Sequence, residues 1–358
     1  MNASSANKEP GRLPWLDFGR AAGILVVLLV HAGVGSGVVR QYGGMFYMPI
    51  FFVAAGCVYH RREGEAFGVF LKKKAARLLL PYFGTSAFLW LFFCVKDAEL
   101  KLPSLFGIFY SRNQMYQSGF TGENPVLLDV LNSPLWFLTA IFLVYLWYEI
   151  AERSRKKKLM LGLGLFFSIL WHYGTKLLLP WSLDAVPYFA CFFFAGEKFR
   201  GCCDALCNAS DGQSREKNSA PGPAMSEAVL LAMLIVFFAG TRLNGSVNLS
   251  CGDYGGSMLL YLIVGTSGSF LVFTVGLWLE KCCKPAARVI SLVGQETLMI
   301  LCFHMFLFMF IRAGAVLLGL GESLTGVLLV AGSLLVLTTV GRIWRKLRQN
   351  CHFHSPVV

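Results

Sequence analysis

The sequence predicts an all-α protein, a polytopic membrane bundle of about ten transmembrane helices. Of its 358 residues, 56% are hydrophobic and only 15% are Asp, Glu, Lys or Arg. Apolar stretches of about 17 residues or more recur along the whole chain, and this is the length that a helix needs to cross a bilayer. Barrel strands would alternate in polarity, whereas these stretches are continuous and rich in Leu, Phe and Val. We therefore expect helices rather than a barrel.

Ten segments are predicted to span the membrane. The first is interpreted as a helix of the mature protein, because it contains Arg20 and no small-residue cleavage pattern follows it. An even number of spans places both termini on the same side. The predicted spans are residues 13–33, 42–60, 78–95, 134–151, 159–175, 182–198, 226–243, 256–279, 289–312 and 324–343.

The net charge of +12 is distributed unevenly between the two sides of this bundle. Lys and Arg are concentrated in the N-terminus, the loops after spans 2, 4, 6 and 8, and the C-terminus. The positive-inside rule therefore predicts that both termini are cytoplasmic. Membrane topology thus accounts for the positive net charge without nucleic-acid binding. The opposite side holds Arg40, Lys96, Lys101, Arg112, Lys176, Arg242 and Arg312.

The chain is predicted to contain one membrane domain between two cytoplasmic tails. The tails are residues 1–12 and 344–358, and the domain is 13–343. A polar stretch rich in Gly, Pro and Ser predicts a cytoplasmic linker at about 199–225.

Two further connections have a distinctive composition. Residues 61–77 mix aromatic residues with lysines, which favours an amphipathic helix on the inner surface that leads into span 3. Residues 96–133 are long and aromatic, and we expect them to fold over the outer mouth of the bundle.

Polar residues inside the spans fall into two layers. Charges within a membrane span are rare and are functional candidates by default. Arg20 and Glu296 each lie about seven residues from a cytoplasmic helix end, which is about a third of the way into the bilayer. Asp17, Lys74 and Arg77 lie below them at the cytoplasmic mouth.

The outer layer is made of imidazole, aromatic and acidic side chains. His31 ends span 1, eleven residues after Arg20, and His304 lies in the outer half of span 9. Tyr47, Trp136 and Asp184 lie near the outer ends of spans 2, 4 and 6.

Each of these residues also has a purely structural interpretation. His, Tyr and Trp are common at the membrane interface. Arg20 can pair with Glu296 or Asp17 in a structural salt bridge, and Lys72, Lys73 and Lys74 can act as plain positive-inside anchors. A metal site shared among the cytoplasmic cysteines would normally show two paired Cys-x-x-Cys spacings, and the sequence lacks them. We therefore expect no metal site.

An ordered set of motifs resembles the acyltransferase 3 family of integral membrane O-acyltransferases, especially its fucose 4-O-acetylase-like branch. The resemblance begins with Leu16-Asp17, a basic residue three positions later and a histidine eleven after that. It continues with MPIFFVAAG at Met48–Gly56. The remaining motifs are Lys74 and Arg77 before Pro81-Tyr82, LWFL at Leu135–Leu138, Leu179–Glu197, and VGQETLMILCFH at Val293–His304.

Four positions depart from the pattern of this family. Tyr47 stands where the branch often has His, and a phenol does not accept a proton near neutral pH as an imidazole does. Ala55 replaces Ser of a Ser-Gly pair, and Lys74 replaces the first Arg of an Arg-x-x-Arg pair. Gln295-Glu296 replaces Lys-Asn, which puts an acid where an amide is usual.

The resemblance implies transfer of an acyl group, most often acetyl, from cytoplasmic acyl-CoA to a saccharide hydroxyl at the outer face of the plasma membrane. His31 is then the candidate general base, and His304 shares this work or hydrogen-bonds the oxyanion. Acyl-CoA is a co-substrate, and no bound cofactor is expected. The residues expected to hold its phosphates and pantetheine are Arg20, Lys73, Lys74 and Arg77.

The acceptor is expected to be a cell-envelope or extracellular saccharide, free or lipid-linked. Tyr47 and Trp136 would stack on sugar C–H surfaces, and Asp184 would accept hydroxyl hydrogen bonds. Two other classes remain open at this point. A transporter or flippase for a lipid-linked saccharide would not depend on acyl-CoA, and in a non-catalytic membrane scaffold Arg20 and His31 would affect stability alone.

Overall fold

A computed structural model describes residues 13–117, 126–210 and 227–352. In these ranges the chain is predominantly helical, with isolated β-bridges and no β-strand. The all-α prediction is therefore confirmed. The predicted tail at 1–12 and the end of the predicted C-terminal tail at 353–358 lie outside the described residues.

The longer helices are labelled in chain order. Short helical turns at Ser36–Val38, Val39–Gly43 and Gly44–Phe46 connect the first two. The labels are α1 (Pro14–Ala32), α2 (Pro49–Cys57), α3 (Phe67–Asp97), α4 (Leu102–Tyr110), α5 (Trp136–Arg153), α6 (Lys157–Thr175), α7 (Val186–Ser210), α8 (Glu227–Asn244), α9 (Met258–Cys282), α10 (Lys284–Gln295), α11 (Thr297–Leu317) and α12 (Glu322–His352).

Helix occurs in each of the ten predicted spans. Seven helices in the described part of the chain are long and apolar enough to cross a membrane, so this is a multi-pass membrane protein. The spans predicted at 42–60, 159–175 and 182–198 fall below that standard. α2 has only nine residues, α6 begins with two lysines, and the second half of α7 is polar. The number of crossings and the cytoplasmic termini remain predictions.

Three boundaries differ from the sequence-based expectation. The predicted surface helix and span 3 form one unbroken helix, α3. Span 9 is interrupted at Glu296, between α10 and α11. α7 continues to Ser210, past the predicted start of the linker, because Phe199 and Cys203 on this stretch are still buried against the bundle. Residues 211–226 of that linker lie outside the described residues.

α1 lies at the centre of the bundle. It packs against α2, α9, α10, α11 and α12. Its side chains Ile24 and Leu28 are fully buried, and a β-carbon on Gly294 of α10 would overlap the carbonyl of Asp17. Glycine at position 294 therefore lets α10 approach the backbone of α1 directly.

The loops on the predicted outer side pack on one another. The Tyr110 hydroxyl donates to the carbonyl of Leu178 at 2.6 Å. Met115 N–H donates to Val126, and Leu178 N–H donates to Met115, at 3.0 and 2.8 Å. The described parts of the segment 96–133 thus fold over the connection between α6 and α7.

The contact between α2 and α7 depends on two glycines. A β-carbon on Gly56 would overlap the carbonyl of Phe193, and one on Gly196 would overlap the carbonyl of Val53. We expect Gly56→Ala to lower the free energy of unfolding by about 2 kcal/mol, because overpacking forces the two helices apart. Thermal unfolding in detergent, followed by intrinsic fluorescence, measures the change.

The matched control is Gly162→Ala in α6, where a β-carbon would meet no atom within 4 Å. This variant should be as stable as the wild type or slightly more so, because alanine has the higher helix propensity. Equal unfolding midpoints for the two variants would contradict the proposed role of Gly56.

Candidate functional site

His31 and His304 lie side by side. Their ring centroids are 5.4 Å apart and the ring planes are tilted by 52°. His31 lies in the last turn of α1, where Gly33 (φ 78°) ends the helix by donating its N–H to the carbonyls of Leu29 and Val30. The structure therefore brings together two imidazoles that are far apart in the sequence.

His304 has one free nitrogen. Its Nδ1 lies 2.9 Å from the carbonyl oxygen of Ile300 and 3.2 Å from that of Leu301. Because a carbonyl oxygen only accepts, the proton belongs on Nδ1 and the lone pair on Nε2. The side chain is fully buried, and Nε2 has no hydrogen-bond partner among the described residues. An unsatisfied buried acceptor is rare in proteins, and an atom of this kind marks a position where a hydrogen-bond donor can bind.

The region next to His31 opens into a cavity of about 360 Å³. It is lined by Val30, Val34, Arg40 and Ser246 together with Gly33 and Gly37. On α11, Arg312 donates to the carbonyl oxygen of His31 at 3.3 Å. The end of α1 is thus held by α11 beside an open, partly polar space.

Arg20 forms an ion pair with Asp17. Its Nη1 lies 3.3 Å from Asp17 Oδ1, and the Ser291 hydroxyl of α10 donates to Asp17 Oδ2 at 3.3 Å. The Asp17 side chain is only 6% exposed, whereas that of Arg20 is 26% exposed. The expected pairing of Arg20 with Asp17 is therefore observed. The N–H groups on Nε and Nη2 of Arg20 make no contact with Asp17 in the described structure and can bind another partner.

Lys74 and Arg77 lie on α3 close to Arg20. The ammonium of Lys74 lies 3.5 Å from the ring centroid of Tyr145 on α5. The guanidinium groups of Arg20 and Arg77 are both close enough to this phenol to act on it electrostatically. Arg20, Lys74 and Arg77 form an inner basic cluster around Tyr145.

Lys73 is held outside the inner basic cluster. Its ammonium lies 2.5 Å from Oε1 of Glu65 in the loop before α3, and the Lys73 side chain is 56% exposed. The hydrogen bond from this ammonium lowers the pKa of the Glu65 carboxyl below its ordinary value. The predicted part of Lys73 in a phosphate site remains a prediction.

Glu296 pairs with Arg345 of α12. Nη2 of Arg345 lies 2.6 Å from Glu296 Oε1, and Nη1 and Nη2 donate to the side chain and the carbonyl of Gln295 at 3.1 and 2.9 Å. Arg20 contacts Asp17 and makes no ion pair with Glu296 within the described structure. Of the two predicted alternatives for Arg20, the pairing with Glu296 is therefore wrong. Arg345 instead secures the break between α10 and α11.

The residues predicted to bind an acceptor each pack against neighbours of their own. Trp136 is 6% exposed, and its ring contacts those of Phe137 and Phe189. Tyr47 is half-buried near Tyr261.

The carboxylate of Asp184 forms an ion pair. Nη2 of Arg112 lies 3.0 and 3.1 Å from its two carboxylate oxygens, and Leu179 N–H donates to Oδ1 at 3.0 Å. Arg112 is only 1% exposed, so this is a buried ion pair between the loops that precede α5 and α7. These contacts are structural, and acceptor binding by Asp184 remains a prediction.

Comparison with known proteins identifies the family. A family model described as an acyltransferase domain, the acyltransferase 3 family, matches residues 13–342. The chain belongs to the acyltransferase 3 family. No match is found among curated proteins or among solved structures.

Several residues of this acyltransferase were not predicted. Tyr145 is one of many aromatic residues in span 4, and nothing in its spacing marks it as the ring beneath Lys74. Arg112 and Arg345 were counted only as loop and tail charges. Their partners, Asp184 and Glu296, are 72 and 49 residues away in sequence, and such distant pairs follow from the tertiary fold alone.

Arg345 is expected to stabilise the acyltransferase through Glu296. Arg345→Gln leaves a carboxylate unpaired whose side chain is 7% exposed. The free energy of unfolding should fall by about 1–2 kcal/mol, a value reduced because Arg345 itself is 36% exposed. Adding Glu296→Gln should restore most of the loss. Thermal unfolding of the single and double variants measures this coupling.

Lys346→Gln is the control, because Lys346 is an exposed cation one position further along α12. It should leave the unfolding midpoint unchanged. Additive effects of Arg345→Gln and Glu296→Gln would show that the pair does not stabilise the protein.

Proposed function

We propose that the protein is an acyl-CoA-dependent O-acetyltransferase of the plasma membrane. It moves an acetyl group from cytoplasmic acyl-CoA to a hydroxyl of a cell-envelope or extracellular saccharide. The observation that carries the proposal is the contact between His31 and His304. His304 Nε2 is buried and has no hydrogen-bond partner among the described residues, and His31 shares α1 with Arg20 of the inner basic cluster.

The inner basic cluster suits a CoA ester. CoA carries several phosphate charges, and three cationic side chains on two helices can bind them from the cytoplasmic side. Arg77 is exposed on α3, and Lys74 is half-buried against the Tyr145 ring. Arg20 lies deeper and is planar and permanently charged, so it can hold a phosphate or a pantetheine amide, or orient the thioester carbonyl.

The histidine pair suits the activation of a hydroxyl. A saccharide hydroxyl attacks a thioester poorly until a base removes its proton, and positioned general bases accelerate such steps by about 10²–10⁴-fold. Either imidazole accepts that proton while the new C–O bond forms and the C–S bond breaks. The CoA thiolate leaves, and the proton on the imidazole returns to it, so the reaction balances without another reactant.

The length of α1 sets the distance between Arg20 of the inner basic cluster and the histidine pair. Arg20 and His31 are eleven positions apart, a rise of about 16 Å at 1.5 Å per residue. A donor bound through its phosphates at the inner basic cluster would extend along α1 toward the histidines. The acceptor would then enter from the opposite face, through the cavity next to His31. The resemblance to fucose 4-O-acetylases supports a saccharide as the acceptor.

Binding of acetyl-CoA to the protein in nanodiscs tests the proposal without knowledge of the acceptor. Arg20→Ala and the double variant Lys74→Ala/Arg77→Ala should each weaken binding about tenfold or more, since each removes charge-assisted contacts. His31→Ala should bind acetyl-CoA as the wild type does but hydrolyse it about 100-fold more slowly, because the base is lost. Calorimetry and release of free CoA measure the two quantities.

Lys72→Ala is the matched control, because it removes an exposed lysine two positions before Lys74. It should retain the affinity of the wild type. A folded wild type that does not bind acetyl-CoA at millimolar concentration would refute the acyltransferase proposal and favour transport of a lipid-linked saccharide.

A further inference from the structure

A small cavity, mostly apolar but with several polar side chains in its lining, lies beneath the loops on the predicted outer side. Its volume is about 20 Å³, and it lies between α3, α4 and the start of α5. Its lining includes Tyr82, Ser86, Ser111, Asn132 and Trp136. A single small polar group needs about 10–15 Å³ of such space, so the cavity holds one hydroxyl-sized group rather than a sugar ring.

Asn132 lines this cavity and has an unsatisfied side-chain oxygen. The residue is 4% exposed, and its Nδ2 donates to the carbonyl oxygen of Cys302 at 2.7 Å. Because that carbonyl only accepts, the amide orientation is determined and the remaining atom is Oδ1. Oδ1 is buried and has no hydrogen-bond partner within the described structure.

Two other polar groups at the cavity already have partners. The Tyr82 hydroxyl donates to the carbonyl of Ile108 at 2.5 Å, and the hydroxyls of Ser111 and Thr139 are 2.9 Å apart. Asn132 Oδ1 can only accept, so the group that satisfies it must be a donor. An O–H group of hydroxyl size meets both requirements.

The position of the cavity relates it to the reacting groups. Cys302, which accepts from Asn132, lies two residues before His304 on α11. Trp136, which we expect to contact a sugar, lines the same cavity. Asn132 is therefore held between the helix that carries a histidine of the pair and a ring suited to a saccharide.

We propose that this cavity receives a second, non-reacting hydroxyl of the acceptor, and that Asn132 Oδ1 accepts its hydrogen bond. The inference rests on the proposed function and deepens it, because it makes Asn132 a residue that selects polyhydroxylated acceptors. An acceptor with two hydroxyls places one at Asn132 and offers the other to the histidine pair. A simple alcohol lacks the first contact.

The test compares two three-carbon alcohols as acceptors, glycerol and 1-propanol. Acetyl transfer from radiolabelled acetyl-CoA is measured in nanodiscs for the wild type and for Asn132→Leu. The wild type should prefer glycerol in kcat/KM, and Asn132→Leu should reduce this preference about tenfold, the loss expected for one hydrogen bond to a buried group. Transfer to 1-propanol and hydrolysis of acetyl-CoA should change little.

Asn244→Leu is the matched control. Asn244 is also buried and also bridges two segments, but both ends of its amide are satisfied, by the Tyr254 carbonyl and by Ser257 N–H. Its loss should lower stability without changing the preference for glycerol. A ratio of rates is insensitive to the folded fraction, so a structural role of Asn132 would leave the ratio unchanged.

Two results would overturn the inference while leaving the proposed function intact. One is a wild type that binds acetyl-CoA but acetylates glycerol no faster than 1-propanol. The other is an Asn132→Leu variant that keeps the preference of the wild type, as expected if the cavity holds only water. Failure of the wild type to bind acetyl-CoA would instead refute the proposed function itself.

Discussion

The distance between the two polar layers of this protein depends on the rigidity of one helix. Arg20 and His31 both project from α1, so their separation along the axis is determined by eleven residues of helical rise. α1 is enclosed by five other helices, and at Asp17 the backbone of α10 approaches it so closely that only glycine fits at position 294. One member of the basic cluster, Arg20, and one of the histidine pair, His31, are thereby held on a common support.

Buried charges in this bundle occur in pairs. Among the described residues, Asp17 pairs with Arg20, Glu149 with Arg153, Glu296 with Arg345 and Arg112 with Asp184. An ionic group inside a membrane protein is costly unless it is compensated, which explains why these charges are paired. The pair at Glu296 also accounts for the acid found where the family usually has an amide, because Arg345 compensates it.

Against this background, Arg20, Lys74 and Arg77 form an excess of positive charge around Tyr145. Nε2 of His304 and Oδ1 of Asn132 are two of the buried side-chain atoms that have no hydrogen-bond partner within the described structure. Uncompensated charges and unsatisfied buried atoms are exceptions that destabilise the unoccupied protein. A substrate that supplies the missing partners restores this stability. The proposed donor and acceptor sites are built on these three exceptions.

The sequence predicts those features that follow from the spacing of residues along a single helix. The spacing of Arg20 and His31 predicted two layers, and apolar length predicted the spans that the described helices occupy. Partners from distant segments could not be predicted, because neither the pairing of Glu296 with Arg345 nor that of Asn132 with Cys302 leaves a periodic signal. The approach of His31 to His304 was expected only as equal depth on two helices, and their contact required the fold.

A structure of the protein with a non-hydrolysable acetyl-CoA analogue in nanodiscs tests the central claim most directly. The account predicts phosphate density at Lys74 and Arg77, with the pantetheine arm along α1 and the acyl group beside His31 and His304. Density for the analogue on the opposite face, or away from the inner basic cluster, would contradict it.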